Sequence, residues 1–127
     1  MDILINNPIK ISIDTREIDD RLPSFYLYVS IEIEKFDYVL KVAITSWFEC
    51  EVFDSFIQNI QSSKLAIFHD MNNNFRLEID LSANRLYWFS CKTDINGNEA
   101  RSEGHETINI HDKDNILSTF KAYPKWW

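Results

Sequence analysis

Residues 24–62 read SFYLYVSIEIEKFDYVLKVAITSWFECEVFDSFIQNIQS, and the change of period inside this stretch decides the fold. Phe25, Leu27, Val29, Ile31 and Ile33 fall on one side of an extended chain, with Tyr26, Tyr28, Ser30, Glu32 and Glu34 on the other. That two-residue repeat marks a strand with one buried face. After a tight link at Lys35 to Asp37 the alternation resumes with Tyr38, Leu40, Val42 and Ile44, so the two runs are predicted to pair as a hairpin. Beyond Ser46 the repeat lengthens. Val52, Phe53, Phe56, Ile57 and Ile60 recur at helical spacing and predict an amphipathic helix over about residues 47–62. Ser46 followed by Glu49 has capping-box spacing, with Glu49, Glu51 and Asp54 placed to complement the positive end of the helix dipole. Burying each apolar side chain of this helix stabilises it by about 1.5–3 kcal/mol before entropy, so packing rather than propensity is expected to hold it.

Upstream, Ile9, Ile11 and Ile13 alternate with polar residues, and the preceding Pro8 predicts that this strand lies at a sheet edge. Charge and Pro23 interrupt the pattern from Asp14 to Ser24. Downstream, strands are expected at Lys64 to His69, Phe75 to Leu81 and Arg85 to Thr93, separated by Met71 to Asn74 and by Ser82 to Asn84. Asn96 and Gly97 have the dipeptide chemistry of a type I′ turn, which would pair Arg85 to Thr93 with Glu99 to Ile110. Asp112 or Asp114 is placed to cap a last helix carrying Ile116, Leu117 and Phe120, with Pro124 ending it before Trp126 and Trp127. The pattern is that of an α+β protein, a mostly antiparallel sheet with one amphipathic helix packed on it and a short C-terminal helix. With 127 residues and 45% apolar content, one domain over residues 1–127 is expected.

Charge narrows the partners. Asp and Glu number 20 against 13 Lys and Arg, a net charge of −7 and a pI near 4.8. Such a field repels phosphate backbones and anionic membranes, so neither nucleic acid nor membrane is expected as a partner and a basic protein fits better. The start, MDILINNPIKISID, alternates like a strand and lacks the basic n-region of a signal peptide. The uncharged run Ser24 to Ile31 is far shorter than the roughly 18 residues of a membrane span. Two unpatterned cysteines, Cys50 and Cys91, suit a reducing cytoplasm. The Ile9 to Ile13 strand invites pairing with a second copy, but Lys10 and Pro8 are typical defences, so a monomer or weak dimer is expected.

No reaction centre assembles from the sequence. Only Gly97 and Gly104 exist, which removes the Gly-rich phosphate loops of nucleotide-binding folds. Cys50 lies between Glu49 and Glu51, whose charges oppose thiolate formation, and is expected to be a buried thiol. Each histidine precedes an acid (His69 and Asp70, His105 and Glu106, His111 and Asp112), and neighbours on a strand point to opposite faces. His105 and His111 would share a face of a continuous strand about 20 Å apart, too far for one metal ion. Arg101, Glu103 and His105 alternate onto one face, as a ribonuclease would need, or simply form an exposed charged strand face. Tyr26, Tyr28, Tyr87, Trp126 and Trp127 either cover the core or anchor a protein interface. No catalytic, cofactor-binding or metal-binding residue is expected.

The strand pair Phe25 to Ile44, the helix around Phe53, Phe56 and Ile60, the strands Phe75 to Leu81 and Arg85 to Thr93, and Gly104 leading into Thr107, Ile108, Asn109 and Ile110 together resemble the WapI-type immunity proteins of bacterial polymorphic toxin systems. The resemblance spans Phe25 to Ile110, roughly two-thirds of the chain and the scale of a small domain. It implies a cytoplasmic antitoxin that binds the C-terminal toxin domain of a secreted or contact-delivered protein, often a nuclease, and blocks it without chemistry of its own. A nuclease is cationic around its cleft, so an acidic protein is steered to it while a few desolvated anchors supply affinity. Two candidate surfaces follow: Tyr26, Tyr28, Glu32, Glu34 and Asp37 on the hairpin, and Glu49, Glu51 and Asp54 on the helix. A generic interaction module and a small hydrolase or ribonuclease are the alternatives.

Overall fold

In the structure, a computed structural model that describes residues 2–127, eight strands form two antiparallel sheets and two helices close the core between them. The first sheet has the order β1 (Ile3–Ile5), β2 (Lys10–Asp19), β3 (Ser24–Lys35), β4 (Tyr38–Glu49). Helix α1 (Cys50–Gln61) leads into the second sheet, ordered β5 (Ala66–His69), β6 (Phe75–Asp80), β7 (Arg85–Thr93), β8 (Glu99–Thr107), and α2 (Ile110–Lys121) follows. The α+β class and the antiparallel pairing are as expected; the division of the strands between two sheets is what the structure adds.

The alternation places the core as the sequence predicts. Phe25, Leu27, Val29 and Ile31 of β3 are buried, as are Phe53, Phe56 and Ile60 of α1 and Phe75, Leu77 and Ile79 of β6. The sheets meet through aromatic rings: Phe48 of β4 stacks on Phe68 of β5 with centroids 4.7 Å apart, and Phe53 packs against Phe25, Phe68 and Phe120. Such offset and edge contacts add to the burial of each ring. Trp127 lies edge-on to both Phe25 and Phe53 at 5.4 Å and donates its indole N–H to Asp54 at 2.9 Å. Trp126 packs edge-on against Trp127 at 5.4 Å, so the C-terminal tail covers the core.

Five local expectations change. The Ile9 to Ile13 strand is not an edge: β2 lies between β1 and β3, because Ile3 and Ile5 form a three-residue strand too short to show a period. The charged stretch after Asp14 does not end β2, which continues to Asp19 across a register shift between Thr15 and Glu17, a bulge that leaves Arg16 unpaired. Ser46 is a strand residue rather than a cap; α1 starts at Cys50, and Glu49 at its N-cap makes no side-chain bond. The Asn96–Gly97 turn is not type I′. Only Gly97 has positive φ, +84°, and a five-residue loop is held by the Asp94 carboxylate, which accepts from the amides of Asn96 and Asn98. Finally, β8 ends at Thr107 and His111 lies in α2, whose N-cap is Asn109, paired reciprocally with Asp112. His105 and His111 thus share no strand, and Asp114 caps nothing.

Candidate partner-binding surface

The β3–β4 hairpin runs in unbroken register from Ser24 opposite Glu49 to Lys35 opposite Tyr38, leaving Phe36 and Asp37 as a two-residue loop. Phe36 has φ of +56° and is fully exposed at 104%, with Tyr38 at 59% and Val39 at 73% beside it. A two-residue hairpin loop with positive φ at its first position ordinarily takes glycine there. A bulky side chain held left-handed costs about 1–3 kcal/mol, and this one gains no burial in return. The hairpin's base is braced from the other sheet, since Lys35 Nζ donates to Glu106 Oε1 of β8 at 2.6 Å. Glu34 and Asp37 flank the exposed rings, and a groove of about 410 Å³ opens next to them between Pro8, Ile9, Ile33 and Leu40. The tip is thus a braced apolar knob with carboxylates at its sides.

The predicted hairpin residues are only partly brought together there. Tyr26, Tyr28, Glu32 and Glu34 do share the outer face of the first sheet. Tyr26 leans on Trp47 and donates to Thr45, and Tyr28 lies under the Arg16 guanidinium at 5.0 Å. Glu32 bridges Lys10 and Lys41 at 3.4 and 3.3 Å, and the hydrogen bonds from Lys41 and then Lys10 hold its carboxyl below the usual range. These three residues stabilise the sheet face. Glu34 and Asp37 are left at the tip.

Glu49, Glu51 and Asp54 sit at the other end of the same strand pair, since Glu49 opposes Ser24. Eleven residues of strand separate the two ends, roughly 35 Å. Asp54 also serves the tail, accepting from Trp127 and pairing with Lys125 at 2.7 Å. Glu49 and Glu51 remain exposed. Cys50, between them, is a buried thiol raised to about 11, first by burial and then by the Asp54 carboxylate.

Arg101, Glu103 and His105 occupy the outer face of β8 as their alternation predicts. Cross-strand register aligns His69, Arg76, Phe89 and Glu103 in one row. A shallow cavity of about 590 Å³ over that row includes Arg101 and Glu103 but not His105. Arg101 pairs with Glu99 at 3.3 Å and lies over Phe89, Arg76 pairs with Glu78 at 2.8 Å, and Glu103 accepts from the Tyr87 hydroxyl at 3.2 Å. Each charge is answered by a neighbour, the organisation of a solvated sheet face.

Among the described residues no group of three or more His, Cys, Asp or Glu side chains is arranged to hold a metal ion, and no helix is long and apolar enough to cross a membrane. Phe36 is hidden from the sequence because the link at Lys35 to Asp37 reads as a connector, and Tyr38 because it opens the alternating run to Ile44, yet it and Val39 are 59% and 73% exposed. The available signal was an aromatic residue where a two-residue turn asks for glycine or asparagine. No protein-family model, curated protein or solved structure matches the chain, so its function is argued from these surfaces.

Proposed function

We propose that this chain is an immunity protein, acting in the cytoplasm, that neutralises a cognate toxin domain by binding it one to one and covering its active site or an essential surface. The observation that carries this reading is Phe36, a fully exposed aromatic side chain held in a left-handed turn at a braced hairpin tip. Strain without local compensation is explained when the residue acts on something outside the chain. Rigid aromatic anchors ringed by charge are the usual carriers of binding energy at protein interfaces. A net charge of −7, with Glu34 and Asp37 beside the anchor, suits a basic partner such as a nuclease cleft, where carboxylates occupy the places of phosphates. The resemblance to WapI-type immunity proteins supports the same reading.

The test is calorimetry with the toxin domain encoded by the adjacent upstream open reading frame. A one-to-one complex whose association slows as salt is added is expected. A generic interaction module shares the surface but needs no such neighbour. The hydrolase reading has the cavity beside Arg101 and Glu103 in its favour, and it requires turnover of RNA or a phosphoester that Glu103→Gln abolishes.

A further inference from the structure

Four strands end the two sheets, and they are not equally protected. Strands β1 and β5 are three and four residues long, and β8 carries Glu99, Arg101, Glu103 and His105. Strand β4 is different. It runs for twelve residues with no register shift against β3, and between Val39 and Trp47 its only charge is Lys41. Long, regular, lightly charged edges are what sheet proteins normally avoid, because their free backbone groups template another strand.

The direction of those groups follows from two hydrogen bonds. Trp47 accepts from the Met71 amide at 2.9 Å, so its carbonyl faces away from β3, and the Cys50 amide donates to Pro23 at 2.9 Å, on the β3 side. Backbone direction alternates along an antiparallel strand. Thr45, Ala43, Lys41 and Val39 therefore turn their N–H and C=O outward. The turn after β5 covers this edge at Trp47, and beyond that point it opens. A cleft of about 280 Å³ separates consecutive residues Lys41 to Ile44 of the β4 edge from the paired ends of β7 and β8, at Ser90 and Lys92 and at Ala100 to Ser102. Lys41, Lys92 and Arg101 line it with no carboxylate, on a chain of charge −7. The carboxylates that pair with Lys41 and Arg101, Glu32 and Glu99, lie outside the lining.

We propose that the outward edge of β4 from Val39 to Thr45 is a strand-addition site that takes an extended, carboxylate-rich segment of a partner protein. Backbone bonds to Lys41 and Ala43 hold the segment, and Lys41 and Lys92 select its charge, the Arg101 guanidinium lying over Phe89 on the opposite face of β8. A second copy of this chain fits less well, since two β4 edges would set their Lys41 side chains against one another with no carboxylate between Val39 and Trp47 to answer them. This site goes beyond the hairpin-tip contact and does not depend on it.

The test uses the full chain, isotope-labelled, with an end-capped heptapeptide alternating glutamate and valine. The amides of Lys41 and Ala43 should gain at least about tenfold protection from exchange on peptide addition. Ala43→Pro removes an N–H that β3 does not use, so the fold should keep its melting midpoint while the protection is lost. A peptide alternating lysine and valine should leave the edge amides exchanging freely, which also tests the assignment without any change to the protein. No gain in protection at about 1 mM peptide, well above a weak dissociation constant, overturns the proposal. So does equal protection by the lysine peptide, or a dimer with these amides already protected before peptide is added.

Discussion

Ser46 Oγ donates a 2.6 Å hydrogen bond to Asp70 Oδ2, joining a strand of the first sheet to the β5–β6 turn of the second where both side chains are buried. The other carboxylate oxygen of Asp70 accepts from the amides of Asn74 and Phe75 at 2.9 and 3.1 Å. A buried carboxylate satisfied by three donors fixes both the turn and the distance between the sheets. The neighbouring Met71 amide reaches Trp47 on the same strand, so the junction is doubly tied.

Asp70→Ala strips acceptors from two backbone amides and one hydroxyl, and is expected to destabilise the fold by about 2–4 kcal/mol. Ser46→Ala should cost about 1–2 kcal/mol, because the carboxylate keeps its amide donors. Denaturant titration of both variants checks the order.

Gly104 faces the indole of Trp88, where an added Cβ would stand 2.9 Å from Cζ2 and 3.0 Å from Cε2. Trp88 is 1% exposed and has no room to retreat. Gly104→Ala should therefore lower stability by about 1–3 kcal/mol through overpacking, whereas Gly97→Asn, at an open turn, should cost less than about 1 kcal/mol. Thermal melts distinguish them.

Burial raises the Cys50 thiol from an ordinary 9 to about 11. Between those values the unfolded chain has released its thiol proton and the folded chain has not, so the unfolded state binds fewer protons and stability falls as pH rises. The contribution is intact below pH 9 and lost by pH 11. Cys50→Ala should flatten that part of the profile in denaturation series taken across the window. In the native protein at pH 8, alkylation should modify the partly exposed Cys91 and leave Cys50 intact, as mass spectrometry would read.

Phe36→Gly replaces a strained residue with the one its backbone prefers. The isolated protein should be unchanged or more stable by up to about 1 kcal/mol, an outcome opposite to that of most aromatic deletions. Urea midpoints of the two proteins decide it.

Periodicity made much of this fold readable. The two-residue repeat in Phe25 to Ile33 and the helical repeat in Phe53 to Ile60 appear in the structure because each marks a face that must be buried. What periodicity does not carry is which strand lies beside which: Phe48 stacks on Phe68 across two sheets, and no local pattern separates that from one continuous sheet. Ser46 followed by Glu49 looked like a helix cap, yet Ser46 is committed to Asp70, a partner 24 residues away. Of the predicted surfaces, Glu34 and Asp37 stay with the exposed tip, while Asp54 is taken by Trp127 and Lys125. Exposure separates an anchor from a core residue, and Phe36 carries the same symbol as Phe25.

The central claim is that Phe36 and its neighbours exist for a partner. It is tested most directly by titrating the chain, and then Phe36→Gly, into the toxin domain of the adjacent reading frame by calorimetry. The account predicts one-to-one binding by the unaltered chain and a loss of at least about 2 kcal/mol, near thirtyfold in affinity, for a variant that folds as well or better. Equal affinity for the two proteins, or no binding by either at low salt, would contradict it.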